Sequence, residues 1–284
     1  GAGGAVANVG VRTDANASNL VLALPLVGNK EDVVASINSA QTNVTVTNNG
    51  SVPFQTTQSN FYGGSAFFED SSSDNLTFTS FGSRFEFTGD YTIEAWIYPT
   101  DSGAADGSIF VENSGSDYFG FNFDPGTQFN IYNNSCSASW SPSTNLPPAN
   151  KWSHIALVRS GSTQTIYVNG NSIATNTASG THGYASPTFT RIGGGASGAL
   201  DSYIQDLRVY KGVAKYTSDF IPASTNPDIL PDTPSGISGK SELTKIVDGA
   251  VSFDGTDYLT VPDGSNDFSF GTGAYTVEGY LYPT

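Results

Sequence analysis

The chain has 284 residues, 37% hydrophobic and 12% aromatic, which is enough apolar material for a packed core and excludes wholesale disorder. Its 26 acidic against 11 basic residues give a net charge of −15, a field that repels phosphate backbones and argues against nucleic acid as a partner. The single cysteine, Cys136, excludes an intrachain disulfide or a thiolate metal cluster, and no apolar run reaches the roughly 18 residues of a membrane span.

Only 13% of residues are charged; Gly, Ser, Thr and Asn fill the polar positions, a composition that favours strands and turns over helices. Residues 1–18, GAGGAVANVGVRTDANAS, lack periodicity and read as a linker or the tail of a preceding domain. Met is absent, position 1 included, as expected for a segment excised from a longer protein. From Asn19 short apolar runs recur between turn residues: NLVLALPL, NVTVT at Asn43, SAFF at Ser65, NLTF at Asn75 and YTIEAWIYP at Tyr91. They continue with SIFV at Ser108, YFGFNF at Tyr118, QFNIY at Gln128, WSHIALVR at Trp152, QTIYVNGNSIAT at Gln164, TFTRIG at Thr188 and YIQDLRVY at Tyr203. Several alternate apolar and polar residues, the period of a half-buried strand, and no window carries a capped helical stripe. Asn169-Gly170, between two such runs, tolerates positive φ at both positions and predicts a two-residue type I′ hairpin.

The stretch 224–241, STNPDILPDTPSGISGKS, is rich in Pro, Ser and Gly and reads as a linker. Beyond it the chain repeats itself. GSAFF at Gly64 is echoed by GAVSF at Gly249, and YTIEAWIYPT at Tyr91 by YTVEGYLYPT at Tyr275, six of ten positions being identical at an offset of 184. Residues 242–284 are expected to open a second, truncated module. Because a sandwich does not close from its opening strands alone, a continuing array is expected.

The order of these motifs resembles the laminin-G-like branch of the concanavalin-A-like lectin/glucanase superfamily. The resemblance rests on NLVLALPL, GGSAFFED leading to LTF and YTIEAWIYP, KWSHIALVRSGSTQTIYVNG, and YIQDLRVYKGVAKYTSDFIPAS. It implies an all-β, two-sheet antiparallel jelly-roll sandwich over residues 19–223. The phrase KGVAKYTSDFIP and the linker DILPDTPSGISGKSELTKIVDGAVSFDG are similar to segments of large structural proteins of tailed bacteriophages, especially those of marine cyanobacteria. That similarity implies a non-catalytic, structural or adhesive module of a tail or capsid fibre at the extracellular virion surface. Its partners would be other virion subunits or host cell-surface glycans. The alternative is a carbohydrate-binding module of a bacterial secreted adhesin or glycan-degrading enzyme.

The glucanases of the superfamily use paired strand carboxylates of the form E-x-D-x-x-E, and retaining hydrolysis needs two carboxyls about 5 Å apart. Here Glu94 and Glu278 each stand alone on their strands, and Asp201 and Asp206 are separated by four residues, so no enzyme is expected. His154 reads as a core or hairpin residue. Cys136 lacks any nucleophile signature. Many members of the resembled family hold calcium at the sandwich rim; here Asp206, Asn29 and Asp32, with Glu31 nearby, are the candidate ligands, although Gln205 replaces an acid the family often carries. For a sugar, the loop-like run from Tyr132 through Asn134 to Trp140 is the leading candidate, followed by His182 and Tyr184 in the loop TASGTHGYAS, expected to be exposed. Trp96 and Trp152 read as core or concave-face residues.

Overall fold

The computed structural model describes residues 14–60, 63–69, 74–79, 81–100, 107–134, 136–194 and 200–222. Contacts divide the chain into Gly1–Lys245 and Ile246–Thr284. The 224–241 linker and the 242–284 repeat both lie outside the described residues.

In chain order the strands are β1 (Leu20–Leu24), β2 (Thr45–Asn49), β3 (Phe54–Gln55), β4 (Ser65–Phe68), β5 (Asn75–Thr79), β6 (Tyr91–Pro99) and β7 (Gly107–Ser114). Then come β8 (Asp117–Asp124), β9 (Gln128–Asn133), β10 (Ser153–Ser160), β11 (Thr163–Val168), β12 (Asn171–Thr177), β13 (Phe189–Gly193) and β14 (Ser202–Lys211). One helical turn, α1 (Val34–Ile37), and a 3-10 turn at Ala17–Asn19 are the helical elements among the described residues. Sheet A runs β12-β11-β10-β6-β14-β4-β3, with β1 also pairing β14; sheet B runs β2-β5-β13-β7-β8-β9. All pairings are antiparallel, giving the expected all-β sandwich.

Period-2 patterning explains the layers. In β8, Phe119, Phe121 and Phe123 point inward and are fully buried, while Tyr118, Gly120 and Asn122 take the other face. Across the sandwich, Ile93 and Ile97 of β6 meet them in one apolar core with Ile155, Leu157, Ile204 and Val209. The Asn169-Gly170 turn forms as expected, with φ of +50° and +80° and Val168 paired to Asn171. The helical turn α1 was not legible in the sequence, being a single turn; its N-terminal Val34 N–H donates at 3.0 Å to the carboxylate of Asp32, two residues earlier. Domain contacts also begin before Asn19, because Asp14 accepts a 2.6 Å hydrogen bond from the Tyr210 hydroxyl.

After β14 the chain turns back across the outer face of sheet A. Tyr216 and Phe220 stack at 3.5 Å and 5° and cover Ala156, Val158 and Tyr167. The Phe220 N–H donates to the carbonyl of Gly170, whose absent Cβ would stand 1.8 Å from the Phe220 oxygen. This exit segment explains why every β6 residue from Tyr91 to Ile97 is buried, including the polar outer-face positions Thr92 and Glu94.

Candidate functional site

The loops singled out for sugar binding do meet, but they close on each other. Trp140 packs against the core as a half-buried lid, pairs its backbone with Ile131 and donates its Nε1–H to Gln164 at 2.9 Å. Asn134, at φ +38°, turns its amide inward to the carbonyls of Thr181 and Gly183. His182 corrects the expectation of an exposed side chain: it is fully buried, 3.0 Å from both the Tyr91 hydroxyl and Ser137 Oγ. Burial, then the nearby Arg159 cation, pulls its pKa down to about 4. The driving force is polar satisfaction: Gln164, buried on β11, bonds Trp140, Asn133 and Tyr91, and each of these groups would otherwise be stranded. Tyr184 gives its N–H to Glu112 and packs half-buried on the core. Of the five predicted residues, Tyr132 alone lies on a sheet face.

The same network holds the one arrangement with a hydrolytic look, Ser137 beside His182. The third group is the neutral phenol of Tyr91, not a carboxylate, and a histidine held near pKa 4 is a poor base. The Cys136 thiol is raised by burial, which disfavours the thiolate. Glu94 is clamped by Lys215 Nζ at 2.6 Å, the Tyr216 hydroxyl at 2.7 Å and His154 at 3.5 Å. Burial pushes its pKa up, but Lys215 and His154 outweigh that and hold it well below the usual carboxylate range, so it is no acid catalyst. His154, read from the sequence as a core or hairpin residue, faces this carboxylate and the Trp96 ring.

The oxygens expected to hold calcium each have bonds within the chain. Asp32 is buried and accepts from the N–H groups of Ala23, Val34 and Val44 at 2.8–3.0 Å, with Arg84 at 4.0 Å. Three N–H donors and a nearby guanidinium already balance this carboxylate's charge. Asp206, at φ +53° in a β14 bulge, binds Arg208 Nε at 2.8 Å, and Asn29 accepts from the Glu31 N–H of its own turn. Among the described residues no group of three His, Cys, Asp or Glu side chains is placed to hold a metal.

The outer face of sheet B is different. Strand register lines up one row across all six strands: Thr47, Thr77, Arg191, Val111, Gly120 and Tyr132. A Cβ on Gly120 would lie 3.2 Å from Val111 and 3.5 Å from Tyr132, so these side chains already close over this buried glycine. Val111 is only 3% exposed and its neighbour Asn122 only 5%, so neighbouring atoms cover the middle of the face. Arg191 lies 4.2 Å over the Phe189 ring on one side, and Tyr118 and Tyr132 stand 6.2 Å apart on the other. Three inter-strand spacings, about 14 Å, separate the Arg191 and Tyr132 backbones. Ser108 Oγ and Arg191 Nε are buried without hydrogen-bond partners on this face. Sequence reasoning passed over Arg191, Tyr118 and Gly120; the signal lay in the alternation of YFGFNF, where the outward set is Tyr, Gly, Asn.

Comparison with known proteins agrees with the architecture. No curated protein matches the chain in sequence. Among solved structures, the chain is similar to botulinum neurotoxin type C, whose cell entry depends on interaction with two ganglioside molecules (14% identity, TM-score 0.52, 70% of this chain and 49% of that one). It is similar to the binding domain of botulinum neurotoxin DC (14%, TM-score 0.53, 69% and 49%). It is also similar to domain 4 of AbnA, an extracellular arabinanase of Geobacillus stearothermophilus solved with arabinotriose (14%, TM-score 0.52, 69% and 94%). The chain thus spans about half the length of the toxin chains it matches. A laminin-G-type family profile matches residues 70–215, just over half of the sequence, and covers β5 through β14. With the sandwich topology and this match together, the chain belongs to the concanavalin A-like lectin/glucanases superfamily.

Proposed function

We propose that this chain is a non-catalytic glycan-binding module of an extracellular surface protein, and that it binds through the outer face of sheet B. The observation that carries the reading is the row from Arg191 to Tyr132, which sets a guanidinium and an aromatic ring on one outer face. Sugars are recognised by aromatic faces together with polar groups, and both are supplied here by a rigid sheet rather than a loop. The ganglioside- and arabinotriose-linked structures named above support the same ligand class. The full protein is, in this proposal, a virion surface fibre of a tailed phage, with host glycans and neighbouring subunits as partners; its support is the similarity of KGVAKYTSDFIP and the following linker to phage structural proteins.

Glycan-array binding of the wild type, Tyr132→Ala and Trp140→Ala tests the site. Loss of at least tenfold in affinity for Tyr132→Ala, with little change for a folded Trp140→Ala, is expected. The reverse pattern returns the site to the loops, and an array without hits sinks the glycan reading. The genes flanking the coding sequence test the fibre: tail or capsid assembly genes are expected, whereas a glycanase domain in the same reading frame overturns it.

A further inference from the structure

We propose that the ligand of the sheet B face is an acidic saccharide, whose carboxylate is held by Arg191 while an adjoining ring lies against Tyr132. This rests on the glycan-binding reading above and specifies its chemistry.

Arg191 is unlike the other cations near it in burial. Arg159 is bonded to the carbonyls of Gly161 and Gly180, Arg208 to Asp206 with Asp14 close by, and Lys215 to Glu94. Arg84 reaches the carbonyl of Val21 beside Asp32, and Lys211 that of Ser83. Arg191 has no ion pair and no hydrogen bond among the described residues, in a molecule where acids outnumber bases 26 to 11. Leaving the Nε–H of a partly buried guanidinium without an acceptor is costly, and water does not reach that atom. Burial accordingly lowers its pKa, with the Tyr118 phenol the one opposing influence.

The geometry says what would satisfy it. The Phe189 ring lies under the guanidinium and fixes its plane. Cross-strand neighbours Thr77 and Val111 bring no charge, so nothing beside it competes for the cation. Because Nε is closed off, an incoming anion meets the Nη groups, whose paired N–H donors match the two oxygens of a planar carboxylate. Inorganic anions would satisfy the charge but would not reach the far side of the face. Tyr132, about 14 Å away across the sheet, requires a ligand longer than one sugar ring.

The test is an array of acidic oligosaccharides, each printed beside its carboxyl-reduced counterpart, with sulfated neutral oligosaccharides as a third set. It is probed with the intact chain and with Arg191→Gln, Arg191→Lys and Tyr132→Ala. Wild-type binding is expected to fall at least tenfold when the carboxyl is reduced. Arg191→Gln should erase that difference, and Arg191→Lys should restore only part of it, because an ammonium lacks the paired edge. Tyr132→Ala should weaken binding to the acidic and reduced forms alike. Equal binding of acidic and reduced ligands, still dependent on Tyr132, overturns the acidic assignment and leaves the glycan reading standing. Preference for the sulfated set overturns the carboxylate. Absence of any hit overturns both. Because Arg191 carries no structural bond, unchanged circular dichroism of Arg191→Gln separates lost binding from lost folding.

Discussion

The two outer faces of this sandwich receive the same chemistry and treat it in opposite ways. On sheet A, Glu94 and His154 are outward polar residues, yet the exit segment folds back and supplies Lys215 and Tyr216 to neutralise them. The aromatic row beside them, Phe67, Tyr203, Tyr98 and Trp152, packs ring on ring at 4.6–5.9 Å, and Gln205 ties Ser59, Asn60 and Gly64 down next to it. Both sides keep buried polar atoms without partners, His154 Nδ1 and Trp152 Nε1 by sheet A, Arg191 Nε and Ser108 Oγ on sheet B, but only on sheet A is the charge itself paired, Glu94 with Lys215. The contrast teaches that a buried ionic group is not by itself a sign of function: sheet A pairs its carboxylate internally, and sheet B leaves the acceptor to come from elsewhere.

That contrast can be broken first where it is strongest. Lys215→Ala leaves the Glu94 carboxylate buried without its nearest cation, with only Tyr216 and His154 beside it, which should cost about 3 kcal/mol and lower the Tm on the order of 10 °C; a loss below about 1 kcal/mol would mean that the clamp does not exist. The second test concerns Glu112, buried between the sheets, where burial raises its pKa to about 8 against hydrogen bonds from Thr190 and the Tyr184 N–H. A raised folded pKa means that its contribution is complete below pH 4.5 and is lost as pH climbs through 8. His182 works the other way, contributing fully above pH 6.5 and losing its contribution as pH falls through 4. Between pH 6.5 and 8 Glu112 therefore acts alone of the two, and Glu112→Gln should remove a stability loss on the order of 2 kcal/mol, seen as a flattened Tm profile.

Gly170→Ala comes next. Its φ of +80° and the 1.8 Å approach to the Phe220 carbonyl predict a cost on the order of 1–2 kcal/mol, with hydrogen exchange accelerating in residues 214–220. Gly161→Ala, at φ +58° with nothing within 4 Å, should accelerate exchange only in its own hairpin. The smallest effect sharpens the comparison most: Arg191→Gln should change stability by less than about 0.5 kcal/mol while acting on binding, whereas a loss like that of Lys215→Ala would give the two faces the same logic.

Strand placement and the hairpin were readable because period-2 alternation and an Asn-Gly pair are local facts, visible in YFGFNF and in VNGN without any partner strand. The family likeness was readable for the same reason, as a string of local motifs in fixed order. The loop site was not. Trp140, Asn134 and His182 look available in sequence, but Gln164, Tyr91 and Arg159 come from strands far along the chain to close them. Asp32 reads as a candidate metal ligand in sequence, and only the fold brings three backbone N–H groups to it, from β1, α1 and the approach to β2.

Sequence by itself determined that this chain forms an acidic, all-β sandwich with inward Phe and Ile faces, because side-chain alternation and turn chemistry act within a few residues. Only the tertiary structure decided which polar groups are satisfied and which are left waiting, because register across six strands sets Arg191, Val111, Gly120 and Tyr132 in one row. A residue's alternation says that it points outward; whether it meets a partner there depends on strands more than a hundred residues apart, such as those carrying Thr77 and Arg191.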